Sequence, residues 1–581
     1  MRADAHARLS RVEQNRSMSL FDDRPWLSSY AEGVPRDIPD VTETLVDMIE
    51  GSITEHRRAV ALDFFGETLT YAELGEAIER AAGGLRKLGV EAGDRVAIVL
   101  PNCPQHLIAF YAVLRLGAIV VEHNPLYTER ELRHQFEDHG ATAAIVWDKV
   151  APAVLDFPSD LGVAHVVSVD VTRAMPWRTR AALRLPIAKA RESRAALTSA
   201  ELAPGAVDWP QVAEAKRISR SHPRPAVDDI AVLQYTSGTT GRPKGAILTH
   251  RNLRANAAQG QAWVPGLQPG REVVYAVLPM FHAYGLTLCA TFAMSIGARL
   301  VLFPKFDPAL VLKAMRSAPA TFLPAVPPIY ERLAKAAGEQ EVSLRSIRFA
   351  ISGAMSLPVS TVELWEEASG GLLIEGYGMT ETSPVAIGNP MGPSRRPGAV
   401  GVPFPSTRMR VIDPEDPTVD RGPDEEGELL LSGPQVFSGY WNRPEETRET
   451  LLDGGWLRTG DLVRVDADGF VTIVDRRKEL IITGGFNVAP SEVEEALVSH
   501  PSVAEAAVVG LPSPSGGETV VAAVVLTPGA EPDLEEIREH ARLRLTAYKV
   551  PRGIEVVEDL PRSLIGKVLR REVRERLQAA Q

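Results

Sequence analysis

Segments typical of strands and of helices alternate along the chain as far as residue 475. Thr70 and Glu73 form a T-x-x-E capping box, and apolar residues then recur at helical spacing up to Leu88. Residues 95–100 follow as an apolar run typical of a strand buried on both faces. This alternation predicts an α/β fold with doubly wound, mainly parallel sheets, which bind ligands at the carboxyl ends of their strands.

The pattern changes after Asp475. We predict strands at 506–511, 520–526 and 554–557, and a helix opened by a second capping box, Ser491 with Glu494. A segment of this length with its own apolar core predicts a small α+β domain. The boundary is placed in the charged run at 475–479.

Composition excludes several classes of protein. The formal net charge is -12, so no overall basic field favours nucleic acid. Cys103 and Cys289 are the only cysteines, too few for a disulfide framework or a cysteine-based zinc site. The N-terminus lacks an apolar signal-peptide core, so we expect a cytoplasmic protein. Residues 273–298 lack acidic and basic side chains, but Pro279, His282 and Gly285 favour a buried strand, loop and helix over a membrane span.

Residues 172–197 form a basic segment with a single acidic residue, Glu192. Apolar side chains, among them Trp177 and Ile187, are interleaved with the basic ones. Such a pattern fits peripheral contact with the anionic inner face of the cell membrane. A solvated surface excursion is the equal alternative, because Pro176 and Pro186 interrupt a continuous helix. The basic residues are Arg173, Arg178, Arg180, Arg184, Lys189, Arg191 and Arg194.

The strongest local signal is a loop at residues 235–245, which reads YTSGTTGRPKG. Its glycines permit close backbone approach to an anion, its hydroxyls donate hydrogen bonds, and Lys244 supplies positive charge. The spacing differs from that of a Walker A loop, since Gly238 and Gly241 lie too close together. The loop therefore predicts phosphate binding of another type.

This loop resembles the phosphate-binding signature of the adenylate-forming superfamily, which includes acyl-CoA synthetases, firefly luciferase and the adenylation domains of peptide synthetases. The resemblance runs from about residue 40 to the end. It implies ATP as a substrate, Mg²⁺ as a cofactor and a large N-terminal domain, residues 1–475. It also implies a hinge at 476–478 centred on Lys478, and a mobile C-terminal domain, residues 479–581.

A second matching segment, EGYGMTET, begins at Glu375. The resemblance implies that Tyr377 stacks on adenine, that Thr380 contacts the α-phosphate and that Glu381 holds the metal. Asp461 would bind the ribose hydroxyls. The implied ATP- and AMP-binding residues are Thr236, Ser237, Gly238, Thr239, Thr240, Gly241, Lys244, Gly353, Ala354, Glu375, Gly376, Tyr377, Gly378, Thr380, Asp461, Arg476 and Lys567.

Lys567 closes the run PRSLIGK near the C-terminus. A lysine in a basic tail is ordinarily a solvated surface residue, but the family places a catalytic lysine in this context. A cation there stabilises the charge that builds up during adenylation. Lys567, Thr380, Glu381 and Lys244 are therefore the catalytic candidates. Gly484, Gly485 and Phe486 would line the path of coenzyme A.

The acyl pocket is expected to lie near residues 279–285 and 324–328 and near Gly376. His282 is its polar candidate, and we favour a wall or gate role over proton transfer. No partner histidine at suitable spacing supports a metal site there. The acyl-pocket candidates are Phe281, His282, Tyr284, Gly285 and Val326.

Residues 124–132 and 375–390 resemble bacterial long-chain fatty acyl-CoA synthetases. The predicted reaction joins a fatty acid to coenzyme A through an acyl-AMP intermediate, releasing AMP and pyrophosphate. Alternatives are a fatty acyl-AMP ligase that loads a carrier protein, a medium-chain or aryl acyl-CoA ligase, a non-catalytic lipid-binding protein and a luciferase-like monooxygenase. We expect small-molecule substrates and a homodimer or monomer; chain-length preference and pathway stay open.

Overall fold

The computed structural model describes residues 21, 23–199, 201–236, 243–483, 486–513, 518–531, 533–563 and 566–579. Within these ranges, the side chains at positions 478, 486 and 487 are not described. Five predicted phosphate-loop residues (Ser237, Gly238, Thr239, Thr240 and Gly241) and two predicted residues of the coenzyme A path (Gly484 and Gly485) lie outside the described residues.

Strands are numbered in chain order. They are β1 Val60–Phe64, β2 Glu67–Thr70, β3 Arg95–Val99, β4 Ile119–Glu122, β5 Ala143–Trp147, β6 His165–Val169, β7 Val207–Asp208, β8 Ile230–Thr236, β9 Lys244–Thr249, β10 Val273–Ala276, β11 Arg299–Leu302, β12 Phe322–Ala325, β13 Phe349–Ser352, β14 Leu372–Gly378, β15 Val385–Gly388, β16 Val402–Pro403, β17 Arg408–Ile412, β18 Glu426–Ser432, β19 Leu451–Leu452, β20 Trp456–Val465, β21 Val471–Arg476, β22 Ile481–Thr483, β23 Phe486–Val488, β24 Val503–Pro512, β25 Glu518–Leu526 and β26 Gly553–Val556.

Helices are named by their bounds. The α-helices are Leu45–Glu55, Tyr71–Lys87, Pro104–Arg115, Glu129–His139, Ala151–Leu155, Trp177–Ala182, Ala188–Leu197, Trp209–Ala213, His250–Trp263, Ala283–Gly285, Ala293–Ser295, Pro308–Met315, Pro327–Glu339, Val359–Ser369, Pro444–Thr450, Pro490–Val498, Leu534–Arg542 and Arg570–Ala579. A π-helix spans Leu286–Phe292, and short 3₁₀ turns include Thr380–Thr382 and Arg477–Glu479.

The chain divides into two compact units. The larger unit comprises Ala31–Thr407 and Gly433–Leu457. The smaller unit comprises the described parts of Met1–Tyr30, Arg408–Ser432 and Arg458–Gln581. The predicted domain boundary at 475–479 lies inside the smaller unit, and that boundary stays a prediction.

Two sheets form the framework of the larger unit. One has the order β7-β6-β5-β3-β4-β8-β9 and is parallel except for the β8–β9 pair. The other has the order β16-β15-β14-β13-β12-β10-β11-β1-β2, with a parallel centre and antiparallel edges. The predicted doubly wound α/β architecture is confirmed. The carboxyl ends of β8, β13 and β14 carry the predicted site residues, as expected for such sheets.

The smaller unit contains one antiparallel sheet and, after it in the chain, a second sheet covered by helices. β18 neighbours β17 and β20, and β20 pairs with β21. Farther along, β24, β25 and β26 form a sheet whose apolar face packs against helices Pro490–Val498 and Leu534–Arg542. A small α+β core after residue 479 agrees with the sequence-based expectation.

Of the two capping boxes predicted from the sequence, one is confirmed and one was wrong. Thr70 caps helix Tyr71–Lys87, and Glu73 completes the reciprocal capping box. The capping box predicted at Ser491 was wrong: helix Pro490–Val498 begins one residue earlier, after Ala489. Ser491 instead donates from its backbone nitrogen and its hydroxyl to the Asp475 carboxylate, at 2.9 and 3.0 Å. A tertiary partner has replaced the local one, because a charged acceptor lies within reach.

Among the described residues, no helix is both long enough and apolar enough to cross a bilayer. The uncharged stretch at 273–298 forms β10, two helical turns and the π-helix Leu286–Phe292, and nearly all of it is buried. The predicted strand, loop and helix are confirmed there.

Candidate active site

The phosphate-loop hairpin belongs to the larger unit. β8 and β9 pair antiparallel, and Thr236 lies opposite Lys244 where the described parts of the hairpin end. Residues 237–242, which join them, lie outside the described residues. The hairpin thus presents Lys244 beside the predicted phosphate loop.

The Lys244 ammonium is only 13% exposed and forms an ion pair with Glu446. It also lies over the aromatic ring of Tyr440, 5.2 Å from the ring centroid, which adds a cation–π attraction. The cation is thereby held in one place by a carboxylate on one side and a ring face on another. A bound polyphosphate could replace Glu446 as the anionic partner of this lysine.

The adenylate segment begins on β14. This strand is parallel to β13, and Ser352 lies opposite Glu375 in the register. Past β14, the chain makes the 3₁₀ turn Thr380–Thr382. A Cβ added to Gly378 would lie 1.8 Å from the Pro384 carbonyl oxygen, so this position admits only glycine.

Glu381 is 5% exposed. Its Oε1 accepts a 2.6 Å hydrogen bond from the Tyr440 hydroxyl. Burial, together with the charge of Glu381, raises the pKa of Tyr440, so this phenol stays protonated and donates. Glu381 and Lys244 come from different motifs, and Tyr440 contacts both of them.

Sequence reasoning missed Tyr440. It lies in an apolar and aromatic run, residues 436–441, which had no assigned role. An aromatic residue with a hydroxyl in a conspicuous FSGYW string was the available signal. Nothing local indicated that this hydroxyl meets a glutamate 59 positions earlier in the chain.

Glu375 is buried at the end of β14. Its carboxylate accepts a 3.2 Å hydrogen bond from the Leu357 backbone nitrogen. Burial raises the pKa of Glu375 to about 8, so the carboxyl group is largely protonated at neutral pH. In that form it can donate as well as accept a hydrogen bond.

One predicted acyl-pocket residue, Tyr284, contacts the end of β13, and the others are placed separately. The Tyr284 hydroxyl donates to the Ile351 carbonyl at 2.7 Å, and a Cβ on Gly353 would lie 3.0 Å from the Tyr284 ring. Gly285 approaches the Pro279 carbonyl closely, and Val326 is buried at the start of helix Pro327–Glu339. The predicted adenine-edge residue Ala354 adopts a left-handed backbone conformation with φ of 66°.

His282 is half-buried, and its Nδ1 accepts a 3.3 Å hydrogen bond from the Tyr284 nitrogen. Burial lowers the pKa of His282 to about 4, so the ring is neutral at physiological pH. The ring caps a short helical turn, and its wall or gate role stays a prediction. Phe281 lies alongside, where its carbonyl accepts from the Gln234 amide at 2.7 Å.

A narrow apolar cavity lies in the larger unit, with about 20 Å³ open to a water-sized molecule. It lies behind Gly376: a Cβ there would be 3.4 Å from the Ile351 side chain and 3.8 Å from that of Val385. Its one polar wall residue, Asn256, is hydrogen-bonded to the backbone of Val385 and to Gln259. Sequence analysis expected the acyl pocket near Gly376 but named none of the residues that line this cavity. Its walls are Asn256, Gly260, Trp263, Val264, Leu288, Phe292, Phe322, Ile351, Val385 and Phe404.

The smaller unit carries the remaining nucleotide candidates. Asp461 on β20 lies opposite Arg476 on β21, and Arg476 Nε is 3.0 Å from an Asp461 oxygen. Asp461 is 2% exposed. The strand pairing therefore places a buried carboxylate beside a half-exposed guanidinium, a donor–acceptor pair suited to hydroxyl and phosphate ligands.

Lys567 ends a tight turn in the smaller unit. The Lys567 nitrogen donates to the Ser563 hydroxyl at 3.2 Å, and the Ser563 nitrogen donates to the Lys567 carbonyl at 2.8 Å. Burial, and next the positive charge of Arg476, lowers the pKa of Lys567 to about 8, although Glu479 and Asp461 act in the opposite direction. The ammonium is thus held at some cost in free energy, as at many functional sites.

Other predicted residues are placed only in part. Lys478 belongs to the 3₁₀ turn Arg477–Glu479, and Phe486 begins β23. The side chains of these two residues are not described, and Gly484 and Gly485 lie outside the described residues. Their hinge and coenzyme A roles stay predictions.

Comparison with known proteins supports one family. Residues 49–441 match the family model of the AMP-binding enzyme, and residues 492–567 match that of the AMP-binding enzyme C-terminal domain. The chain is 39% identical over 563 residues to the long-chain-fatty-acid–CoA ligase of Bacillus subtilis (strain 168), with 95% of this chain and 98% of that protein covered. Identity to the enzyme of the same name from Yersinia pestis is 38% over 564 residues, with the same coverage.

A solved structure is similar over most of the chain. The anthranilate CoA ligase AuaEII in complex with anthranoyl-AMP matches with a TM-score of 0.79 and 27% identity, covering 94% of this chain and 99% of that one. The two family-model matches flank the segment with Asp461, Arg476 and Lys478, and they include Lys244, Glu381 and Lys567. The chain belongs to the AMP-binding enzyme family.

Proposed function

We propose that this protein is an ATP-dependent ligase that converts a long-chain fatty acid to its coenzyme A thioester through an acyl-AMP intermediate, with release of AMP and pyrophosphate. Relatives similar over nearly their full length carry the name long-chain-fatty-acid–CoA ligase. The observation that carries the proposal is the arrangement of Lys244, Tyr440 and Glu381, because it provides a cation and a hard-oxygen ligand suited to a nucleoside triphosphate.

In the first half-reaction, the fatty acid carboxylate attacks the α-phosphorus of ATP and pyrophosphate leaves. Lys244 holds phosphate charge, and the Thr380 hydroxyl contacts the α-phosphate. Lys567 contributes positive charge to the transition state, and Asp461 orients the ribose hydroxyls. Preorganised charges of this kind are usually the largest single contribution to lowering such a barrier.

Mg²⁺ fits the donor set of Glu381. Magnesium is commonly held by one or two carboxylates together with substrate phosphates, and Glu381 offers one buried carboxylate oriented by the Tyr440 hydroxyl. A bound Mg²⁺ would neutralise phosphate charge and so favour the departure of pyrophosphate.

The fatty acid tail is proposed to occupy the cavity behind Gly376. Its walls are apolar, and the amide of Asn256 is already hydrogen-bonded, so a hydrocarbon chain would displace little bound water. Trp263 and Phe404 in its wall stack with ring centroids 4.5 Å apart. Widening this narrow cavity requires these aromatic side chains to move.

The test of the function is pyrophosphate release, and then thioester formation with coenzyme A, across acids from acetate to oleate with aryl acids included. We expect long-chain acids to give the highest kcat/KM. Gly260→Leu should shift the preference to shorter acids, because a Cβ there already lies 3.2 Å from the Phe292 ring.

Gly338→Leu, at an open helical position, is the matched control and should leave the preference unchanged. Preference for aryl acids would contradict the substrate assignment. Pyrophosphate release without any coenzyme A thioester would instead favour transfer to a carrier protein.

The basic segment at 172–197 is proposed to contact anionic lipid. Each proline is followed within two residues by a short helix, Trp177–Ala182 and Ala188–Leu197. Three large apolar side chains are left in solvent: Trp177 is 71% exposed, Leu185 50% and Ile187 55%. Exposed apolar side chains among arginines are typical of surfaces that insert shallowly into a bilayer.

Vesicle co-sedimentation tests this contact. Replacing Arg178, Arg184 and Arg191 by Gln should lower partitioning onto anionic vesicles about 100-fold, at about 1 kcal/mol for each charge. Replacing the exposed Arg57, Arg58 and Arg220 is the matched control. Equal partitioning of both triple variants would remove the proposal.

A further inference from the structure

An ion-pair cluster surrounds the predicted hinge, within the smaller unit. Asp475 is 3% exposed and precedes residues 476–478. Its carboxylate accepts from the Arg476 nitrogen at 2.6 Å and from the nitrogen and hydroxyl of Ser491 at 2.9 and 3.0 Å. Ser491 lies in the first turn of helix Pro490–Val498, after the hinge. These hydrogen bonds therefore join the two sides of residues 476–478.

Arg570 completes the cluster from the C-terminal side. Its Nε and Nη2 bind the two oxygens of Glu494 at 2.9 and 2.7 Å. Its Nη1 pairs with Glu479 and lies 3.9 Å from an Asp475 oxygen, and its Nη2 donates to the Ser491 hydroxyl at 3.3 Å. One planar guanidinium thus contacts three carboxylates, a geometry that lysine cannot reproduce.

The same arginine anchors the turn that carries Lys567. Arg570 follows Lys567 by three residues and begins helix Arg570–Ala579. Between them, Val568 forms a bridge with Arg562, and the Leu569 nitrogen donates to the Pro561 carbonyl at 2.8 Å. Few backbone torsions therefore separate the fixed guanidinium from the lysine, so the cluster restricts where Lys567 can lie.

Glu494 holds the arginine in turn. Its Oε1 also accepts a 2.8 Å hydrogen bond from the Val508 nitrogen on β24. This carboxylate is therefore tied to the sheet of the smaller unit, and Arg570 is positioned by a rigid element. A displacement of the catalytic group by as little as an ångström can cost about 100-fold in rate.

We propose that Arg570, Asp475 and Ser491 form a latch across residues 476–478, with Arg570 as the positioning residue that holds Lys567 for adenylation, and that the latch opens for the thioester-forming step. The proposal rests on the two half-reactions proposed above. A large rotation about residues 476–478 would carry Ser491 away from Asp475 and break their hydrogen bonds, because the two residues lie on opposite sides of those bonds in the chain. Closing the latch favours adenylation, and opening it favours thioester formation.

The test measures the half-reactions separately: pyrophosphate release with fatty acid and ATP, and consumption of supplied acyl-AMP by coenzyme A. Arg570→Gln should lower the first about 10- to 100-fold and leave the second unchanged or faster. Arg570→Lys should recover only part of the loss. The matched control is Arg571→Gln, because the exposed Arg571 side chain pairs only with Glu575 in the described structure.

The pH dependence separates positioning from general damage. Arg570 is one of the cations that lower the pKa of Lys567, with Arg476, whereas Glu479 and Asp461 raise it. Arg570→Gln should therefore move the alkaline decline of adenylation to higher pH. An unmoved decline, or equal losses in both half-reactions, would overturn the latch.

Two further tests do not depend on whether the Arg570 variants fold: the substitution Ser491→Ala and hydrogen exchange at the Ser491 amide. Ser491→Ala removes the hydroxyl that donates to Asp475 and accepts from Arg570, and it should slow adenylation about threefold while sparing thioester formation. Exchange at the Ser491 amide should be slow in the wild type and faster in Asp475→Asn, whether or not any acid is activated. Fast exchange at the Ser491 amide of the wild type would contradict the latch and leave the proposed function standing. If the wild type released no pyrophosphate with any acid, the proposed function itself would be wrong.

Discussion

Lys244 and Lys567 are the two lysines assigned to catalysis, and their surroundings differ. Lys244 begins a strand, pairs with Glu446 and lies over the Tyr440 ring. Lys567 ends a turn held by backbone and hydroxyl hydrogen bonds, and burial lowers its pKa to about 8. The positive charge of Lys244 is already paired with a carboxylate in the protein without ligand. Burial disfavours the positive charge of Lys567, so we expect a bound anionic ligand to stabilise it. We infer that Lys244 serves binding and that Lys567 serves the transition state.

Replacing each lysine by alanine is the strongest test of this difference in roles, and we expect the largest effects there. Lys567→Ala should lower pyrophosphate release about 10²- to 10³-fold through kcat, because it removes charge that matters most in the transition state. Consumption of supplied acyl-AMP by coenzyme A should stay within about twofold of wild type. Lys244→Ala should act mainly by raising the KM for ATP. Equal changes in kcat for both variants would contradict the division of roles.

Tyr440→Phe should have an intermediate effect. It removes the hydroxyl that donates to Glu381 but keeps the ring beneath Lys244. We expect kcat/KM for ATP to fall about tenfold, as for loss of one hydrogen bond to a charged group, with a higher requirement for Mg²⁺. Tyr275→Phe, which loses a 2.7 Å bond to the Ala318 carbonyl, is the control for lost stability. If both variants behave alike, Tyr440 has no specific role in ATP binding.

The smallest effect concerns pH. The pKa of Lys567 is lowered to about 8, so the ammonium is fully protonated well below pH 8 and is lost as the pH rises through that value. Adenylation, measured as kcat/KM at low ATP, should therefore decline above about pH 8. Lys567→Arg stays charged, so its residual activity should show no such decline. A wild-type profile flat to pH 10 would contradict the lowered pKa.

Much of the fold and part of the site were predictable from local patterns. Apolar runs such as β3 and β5 identify buried parallel strands, because both faces must be apolar. The capping box of Thr70 and Glu73 is local and was confirmed. That of Ser491 and Glu494 was not, because Asp475 and Arg570 compete for the same side chains. A local signal fails where a charged tertiary partner offers a stronger bond.

The sequence by itself determined the family, the α/β architecture and the residue types of the nucleotide motifs, because these depend on neighbours within a few positions. Only the tertiary structure revealed that Tyr440 contacts Lys244 and Glu381, that a cavity lies behind Gly376, and that burial makes the Lys567 ammonium costly. The physical reason is the same in each case. Burial and charge–charge contacts depend on residues far apart in the chain, which come together only when the elements pack.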